Sequence, residues 1–263
     1  MCVAGIRRRV PRRRRGRSRG TARARVRGGR LVSTSQPATP APAVHAALEA
    51  LGADPPQVHE GAPHGVWAAA QDCLEFLAEV LVPGMRTLET GCGASTVVFA
   101  ASECRHTAVF LEVHEGEAVQ RWCAQHDIDT TVVDFRAGSS SQVLPALAPG
   151  DLDVVMVDGC HGFPFPQLDW YYAAANLVDG GILVVDDTQL PAPYELRRYL
   201  EADPRWSRVR VGSQWVAFRR VGSGSLDEEW TSQQFFQPTA LRVKALERKA
   251  RAAVGRLRRR IGG

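Results

Sequence analysis

The strongest constraint on the fold is an alternation of predicted strands and helices between about residues 86 and 202. Five short apolar segments typical of buried strands are each followed by a segment with helical character. Two more strand-like segments, 206–211 and 214–221, flank Gly212–Ser213 and predict an antiparallel hairpin. The chain is therefore predicted to form a doubly wound, Rossmann-like α/β sheet of seven strands, with helices on both faces and the hairpin at its end.

Composition divides the rest of the chain. Residues 1–44 are rich in Arg and then in Ser, Thr, Pro and Ala, so we expect disorder because little apolar surface can be buried. We predict an N-terminal helical segment over residues 45–84 and the α/β domain over residues 85–222. Residues 223–263 are predicted to form a linker and a basic amphipathic helix. Within the helical segment, apolar residues recur at helical spacing: Trp67, Ala70, Leu74, Leu77 and Leu81.

Charge is distributed unevenly along the chain. Of the 33 Lys and Arg residues, 13 lie in 1–30 and nine in 240–263. Residues 31–239 therefore hold 11 basic residues against 27 acidic ones. An acidic central region does not resemble a nucleic-acid groove, which would be basic, so no specific nucleic-acid partner is expected.

The two basic ends leave several interpretations open. The Arg-rich start could bind a polyanion or act as a targeting segment. We favour a third interpretation, in which residues 1–31 are translated upstream DNA of a GC-rich, bacterial genome and the true start lies near Val32. The helix predicted over 239–261 would be solvated, pack on a partner, or lie against an anionic surface.

Compartment and assembly are only loosely constrained. The six cysteines are scattered without a CxxC pair, which suits reduced thiols in a cytoplasmic protein. No segment approaches the roughly 18–20 apolar residues of a membrane-spanning helix. Oligomeric state stays open, with a homodimer among the options.

Two glycines follow the first predicted strand, in the segment ETGCGAST at 89–96. Glycines at a strand-to-helix turn, here Gly91 and Gly93, let backbone amides approach a ligand closely. The third glycine of the dinucleotide fingerprint is missing. Glu112 ends the second predicted strand, where an acidic side chain can accept hydrogen bonds from a ribose diol.

Further motifs complete the pattern: Gly138-Ser-Ser, Asp158-Gly-Cys-His and Gly180-Gly-Ile-Leu-Val-Val-Asp-Asp. In their order and spacing, residues 65–221 resemble the class I S-adenosylmethionine-dependent methyltransferases. The closing hairpin distinguishes that fold from a plain Rossmann dehydrogenase. The resemblance implies the class I methyltransferase fold, methyltransferase activity and S-adenosylmethionine as the cofactor.

The resemblance also assigns roles to individual residues. The Gly91–Gly93 loop would pass under the methionine part of the cofactor, and Glu89 would help to hold its amino end. Glu112 would bind the ribose hydroxyls. Ser139 or Ser140 would contact adenine, and Asp158 would lie close to the sulfonium and the acceptor.

Two adjacent carboxylates, Asp186 and Asp187, end the fifth predicted strand, although like charges repel unless something positive lies between them. Asp158, Asp186 and Asp187 resemble the metal ligands of catechol and caffeoyl-CoA type O-methyltransferases. That resemblance implies a Mg²⁺ site that would bind the acceptor hydroxyl and lower its pKa. The pattern departs at His161, where the catechol-type enzymes have a Lys; a neutral His is a competent base.

These features predict O-methylation of a small molecule or sugar hydroxyl, assisted by Mg²⁺. One alternative is a metal-independent N- or O-methyltransferase that uses His161 as its base. Another is an NAD-binding oxidoreductase, against which the hairpin and the missing third glycine count. Residues 163–172, FPFPQLDWYY, would form part of the acceptor wall.

Overall fold

A computed structural model describes residues 41–59, 61, 68–222, 225–227, 229, 233–236, 246 and 249. All of these residues belong to one structural unit, Leu31–Gly263. The predictions for the Arg-rich residues 1–40 and for Trp67 lie outside the described residues. So does the prediction for the basic helix over 239–261, apart from the helical residues Leu246 and Lys249.

Strands and helices alternate through the described part of the chain. The strands are β1 (Arg86–Thr90), β2 (Arg105–Phe110), β3 (Val133–Ala137), β4 (Leu152–Val157), β5 (Leu177–Val185), β6 (Trp206–Val211) and β7 (Val216–Arg220). The α-helices are α1 (Pro42–Ala53), α2 (Gln71–Val80), α3 (Ala94–Ala101), α4 (Val113–Gln125), α5 (Ser140–Val143), α6 (Phe165–Ala174) and α7 (Pro191–Ala202).

The seven strands form one sheet in the order β3-β2-β1-β4-β5-β7-β6. Strands β1 to β5 are parallel, whereas β7 runs antiparallel to both β5 and β6. The predicted fold class, including the C-terminal hairpin, is confirmed. Strand order reverses between β1 and β4, and in open α/β sheets ligands bind beyond the carboxyl ends of the strands at such a point.

Both faces of the sheet are covered, which explains the continuous apolar runs of the central strands. In β4, Val154 and Met156 pack with α1 to α4 on one face. Val155 and Val157 pack with α6 and α7 on the other face. The alternation along β4 therefore divides the core into two layers that hold the strand ends in place.

The hairpin is fastened to the N-terminal helices at its turn. The carboxylate of Asp72 in α2 accepts hydrogen bonds from the Ser213 backbone N–H at 2.8 Å and from its hydroxyl at 2.7 Å. Beside this contact, the rings of Phe76 and Trp215 lie 4.9 Å apart between centroids. No described helix is long and apolar enough to cross a membrane.

Several boundaries differ from the prediction. Helix α1 begins at Pro42, so residues 42–44 are not part of the disordered segment predicted over 1–44; Pro suits the first helical turn, and Val44 is buried. Helix α2 begins at Gln71, after Ala70. Strand β2 ends at Phe110, before the predicted end at Glu112. Glu112 instead caps α4, and its backbone N–H donates to Glu115 Oε2 at 3.2 Å.

Candidate active site

A cavity of about 610 Å³ opens at the carboxyl ends of β1, β2 and β4, where the strand order reverses. Loops after the parallel strands supply most of its described wall, and the segment after α1 supplies much of the remainder. The main contributing stretches are 55–59, 90–95, 109–111, 138–140 and 158–161. The volume falls within the usual range for a small-molecule or cofactor site.

The loop after β1 is held tightly against the end of β4. Gly91 has a φ of +99°, a conformation that favours glycine, and its N–H donates to the Val109 carbonyl at 2.8 Å. A Cβ at Gly91 would overlap the backbone carbonyl of Asp158. By contrast, a Cβ at Gly93 would meet no atom within 4 Å. Gly91 therefore permits the close approach of two loops, while Gly93 faces open space at the cavity.

Glu89 lies behind this loop and is fully buried. Its carboxylate accepts hydrogen bonds from the Ser95 hydroxyl at 2.6 Å and from the Thr96 hydroxyl. The Nε2 atom of His106 is 3.0 Å from the same carboxylate. Glu89 is thus placed to support the glycine loop from below, and the predicted contact with the amino end of the cofactor stays a prediction.

Five of the predicted cofactor contacts line the cavity: Gly91, Gly93, Ser139, Ser140 and Asp158.

Glu112 does not share that position: it is exposed and stands outside the described cavity wall, next to the wall residue Leu111. Glu115, one turn further along α4, does line the cavity, and its carboxylate lies 3.7 Å from Nδ1 of His59. This contact joins the segment after α1 to the rim formed by α4, an arrangement that local sequence patterns do not indicate.

His161 lies between two carboxylates from different strand ends. Its Nε2 is 3.5 Å from Asp158 Oδ1, and its Nδ1 is 3.2 Å from Asp187 Oδ2. Potential ligand atoms of these three residues all lie within 4.8 Å of one another. We call Asp158, His161 and Asp187 the acidic–histidine cluster.

The two adjacent carboxylates at the end of β5 have different surroundings. Asp186 is only 4% exposed, and its carboxylate accepts the backbone N–H of Asp187 at 2.9 Å. Asp187 takes a φ of +51° and directs its carboxylate to His161. Among the described residues, the grouped ligand atoms are those of Asp158, His161 and Asp187, and Asp186 is not in the group. The predicted metal set of Asp158, Asp186 and Asp187 stays a prediction.

Burial and charge act in opposite directions within the cluster. Burial raises the pKa of the Asp158 carboxyl well above its usual range, and His161 offsets part of that shift. The contact with Asp158 is the main cause that raises the pKa of His161. Burial also raises the pKa of Asp186 to about 6. Asp158, His161 and Asp186 therefore all have pKa values above their ordinary ones.

Asp169 is a buried acid near the site that sequence patterns did not single out. It is fully buried in α6, and neither carboxyl oxygen forms a hydrogen bond of normal geometry within the described residues. A Cβ at Gly159 would lie 3.1 Å from its Oδ2. Burial raises the pKa of Asp169, and the hydroxyls of Ser140 and Thr90 offset this only in part. Asp169 should therefore make the stability of the folded protein depend on pH.

Residues 88–188 match the family described as "Methyltransferase domain". No curated protein sequence matches the chain significantly. Among solved structures, the O-methyltransferase TomG from Streptomyces achromogenes, in complex with S-adenosylmethionine, has 20% identity and a TM-score of 0.53, covering 70% of this chain and 92% of that one.

A second solved structure, the methyltransferase PaMTH1 from Podospora anserina bound to S-adenosylhomocysteine, has 15% identity and a TM-score of 0.50. The match covers 69% of this chain and 89% of that one. At these identities the likeness shows the fold.

The strand order, the family match and the cavity agree on one class of protein. The fold is that of the class I methyltransferases. The match over residues 88–188 and this fold together support the S-adenosylmethionine-dependent methyltransferase predicted from the motifs. The resemblance inferred from the motifs is confirmed.

Replacing Gly91 should damage both the site and the fold. We expect Gly91→Ala to lower the free energy of unfolding by about 1–3 kcal/mol, because Ala is strained at positive φ and its Cβ overlaps the Asp158 carbonyl. S-adenosylhomocysteine should bind more weakly as the loop separates from β4. Urea unfolding and calorimetric titration measure the two effects.

Gly93→Ala is the matched control for this substitution. Its Cβ meets no neighbour within 4 Å, so unfolding should change by less than about 0.5 kcal/mol. Equal stability of the two variants would contradict the close approach at Gly91.

Asp169→Asn should stabilise the protein in a pH-dependent way. With its pKa raised in the folded state, Asp169 contributes most to stability below its unfolded pKa of about 3.9 and loses that contribution as pH rises through the folded value. Asn carries no titrating carboxyl, so the variant should be more stable than wild type at pH 8 and no more stable at pH 4. Urea unfolding at both pH values measures the difference.

Asp151→Asn, at an exposed position, is the control and should show no such pH-dependent gain. A constant difference between Asp169→Asn and wild type at both pH values would contradict a raised pKa at Asp169.

Proposed function

We propose that this enzyme transfers the methyl group of S-adenosylmethionine to a hydroxyl of a small molecule or sugar, with the acidic–histidine cluster at the acceptor end. One observation carries the proposal: Asp158 and His161 line the same cavity as the glycine loop of the methyltransferase fold. A methyl donor on that loop and an acceptor beside His161 would therefore share one enclosed space. The O-methyltransferase TomG, involved in tomaymycin synthesis, supports a hydroxyl acceptor by analogy of fold.

The cavity fits the parts of the proposed cofactor. The backbone of the Gly91–Gly93 loop can approach the methionine part closely. Ser139 and Ser140 supply hydroxyls on the side expected for adenine. Glu112 follows the wall residue Leu111 at the end of β2, and we propose that it reaches the ribose hydroxyls from there.

The charge of the wall limits the acceptor. Asp158 and Glu115 contribute carboxylates, and no Lys or Arg occurs among the described lining residues. A phosphorylated acceptor would meet these carboxylates with no described Lys or Arg in the wall to pair with its phosphate. Phe165 lines the cavity and Phe163, in the loop before α6, is 79% exposed. We therefore favour an acceptor without phosphate and with apolar surface.

His161 would act as the general base. In its neutral form it would take the proton of the acceptor hydroxyl as the acceptor oxygen forms its bond to the methyl carbon. In the same step S-adenosylmethionine would supply the methyl group, with the electron pair of the broken carbon–sulfur bond going to sulfur to give S-adenosylhomocysteine. Asp158 and Asp187 would stabilise the imidazolium that forms, as carboxylates beside a catalytic His do.

A divalent cation is the second candidate for the same position. Two carboxylate oxygens and an imidazole nitrogen can hold such an ion, and Asp158, Asp187 and His161 would be its ligands. Mg²⁺ prefers oxygen ligands, so a group with an imidazole suits it less well than the three carboxylates of the predicted set. Asp186 instead accepts the backbone N–H of Asp187. When bound, the ion would lower the pKa of the acceptor hydroxyl. A cytoplasmic location and a homodimer remain predictions.

Removing the base tests the proposed function directly. His161→Ala should lower turnover by about 10²- to 10⁴-fold, the usual contribution of general-base catalysis, while binding of S-adenosylhomocysteine stays unchanged. Turnover would be measured with a panel of phenols and sugars as acceptors, as the amount of S-adenosylhomocysteine released from S-adenosylmethionine.

The matched control is His45→Ala on α1, where the side chain is 70% exposed. Undiminished turnover in His161→Ala would remove the residue from the chemistry. Activity that a chelator abolishes and Mg²⁺ restores would favour the metal-assisted reaction.

Replacing Glu112 tests the proposed ribose contact. Glu112→Ala should weaken binding of S-adenosylhomocysteine by about 1–3 kcal/mol, the scale of hydrogen bonds to a charged group. Calorimetric titration of the full chain measures this loss without any acceptor.

Glu117→Ala on the same helix, with a side chain 59% exposed and outside the described wall, is the control. Full affinity in Glu112→Ala together with a loss in Glu115→Ala would move the ribose contact to Glu115.

A further inference from the structure

His106 lies in β2, away from the described cavity wall, yet it joins the buried support of the glycine loop. The residue is 1% exposed. Its Nδ1 is 2.8 Å from the Thr87 hydroxyl, and its Nε2 is 3.0 Å from Glu89 Oε1. The imidazole also stacks on Phe99, with ring centroids 4.2 Å apart and planes 8° from parallel. Three neighbours therefore fix the orientation of this ring.

The direction of these hydrogen bonds follows from the chemistry of the partners. A carboxylate only accepts, so Nε2 of His106 donates to Glu89. In a neutral imidazole Nδ1 is then the acceptor, and the Thr87 hydroxyl donates a hydrogen bond to it. Thr87 thus sets the tautomer that allows His106 to donate to the buried acid.

The same chain of contacts continues from Glu89 to the cavity. The Thr96 hydroxyl donates its single proton to Glu89 and accepts the backbone N–H of Gly93 at 2.9 Å. The Ser95 hydroxyl donates to the other carboxylate oxygen at 2.6 Å. Gly93 and Ser95 both line the cavity. Any rotation of the Glu89 carboxylate would therefore be passed to the cofactor loop.

We propose that His106 is a positioning residue for S-adenosylmethionine binding, acting through Glu89 and Thr96 on the loop at Gly93. This inference rests on the proposed function, since it assigns the loop to the cofactor. A fully buried carboxylate is costly unless hydrogen bonds satisfy it, and His106 supplies one of the three side-chain donors that the described residues offer to Glu89. With that donor in place, the loop is ordered before the cofactor arrives, and binding avoids the cost of ordering it.

His106→Phe tests the proposal because it keeps an aromatic ring beside Phe99 and removes both hydrogen bonds. In the full chain, the KM for S-adenosylmethionine and the Kd for S-adenosylhomocysteine should rise about 10- to 100-fold, the scale of a hydrogen bond to a charged group. The kcat should change much less, since no reacting atom is touched. His106→Gln, which keeps an N–H donor, should recover most of the affinity.

His126→Phe is a matched control. His126 also stacks on an aromatic ring, that of Trp122 at 3.8 Å, but bonds to the Trp122 carbonyl instead of the loop network. Its affinity for S-adenosylhomocysteine should equal that of wild type. Two results would indicate a merely structural role for His106 and overturn the proposal. In the first, folded His106→Phe has an unchanged KM for S-adenosylmethionine. In the second, kcat and affinity fall alike and His106→Gln does not recover them.

Thr87→Val keeps the proposal testable if His106→Phe does not fold. It removes the hydroxyl that orients the ring, so we expect a smaller rise in KM for S-adenosylmethionine with kcat retained. An unchanged KM overturns the proposal.

Failure of the proposed function looks different, because wild-type protein would then bind no S-adenosylhomocysteine. Binding by wild type and His106→Phe with equal affinity would contradict only the role of His106.

Discussion

The buried carboxylate of Glu89 is the interaction on which the site depends. Burying a carboxylate is costly unless it is hydrogen-bonded, and the donors to Glu89 come from the next strand and from the first turn of α3. Satisfying it therefore fixes β1, β2 and the start of α3 relative to one another. The glycine loop between β1 and α3 takes its shape from that arrangement, and the close packing of Gly91 on β4 completes it.

Opposite this support, the acidic–histidine cluster forms where β4 and β5 end. Its members come from two loops, and both loops are held by the core that the sheet shares with α6 and α7. One imidazole between two carboxylates could accept a proton or, together with them, bind a cation, so base catalysis and metal assistance are alternative proposals for the same position. The cluster and the loop occupy one cavity, so the donor and acceptor ends of a methyl transfer can meet there.

Much of the fold was predictable because period-2 and helical patterns are local properties of the chain. The alternation of strands and helices predicted the parallel sheet, and Gly212–Ser213 predicted the hairpin. Helix ends were less accurate: α1 starts at Pro42 inside the segment predicted as disordered, since the burial of Val44 is a tertiary contact. Among the site residues, Gly91, Gly93, Ser139, Ser140 and Asp158 line the cavity, as their motifs and the family resemblance implied.

The sequence by itself determined the class of fold, the strand ends that carry the site and the presence of acids and a His there. Only the tertiary structure decided which of these side chains face one another. Adjacent residues such as Asp186 and Asp187 differ in burial and partners because backbone conformation at the end of β5 directs them apart. His106, Asp169 and Glu115 acquire their surroundings from elements distant in sequence. Packing across the sheet sets those contacts, and no local pattern encodes it.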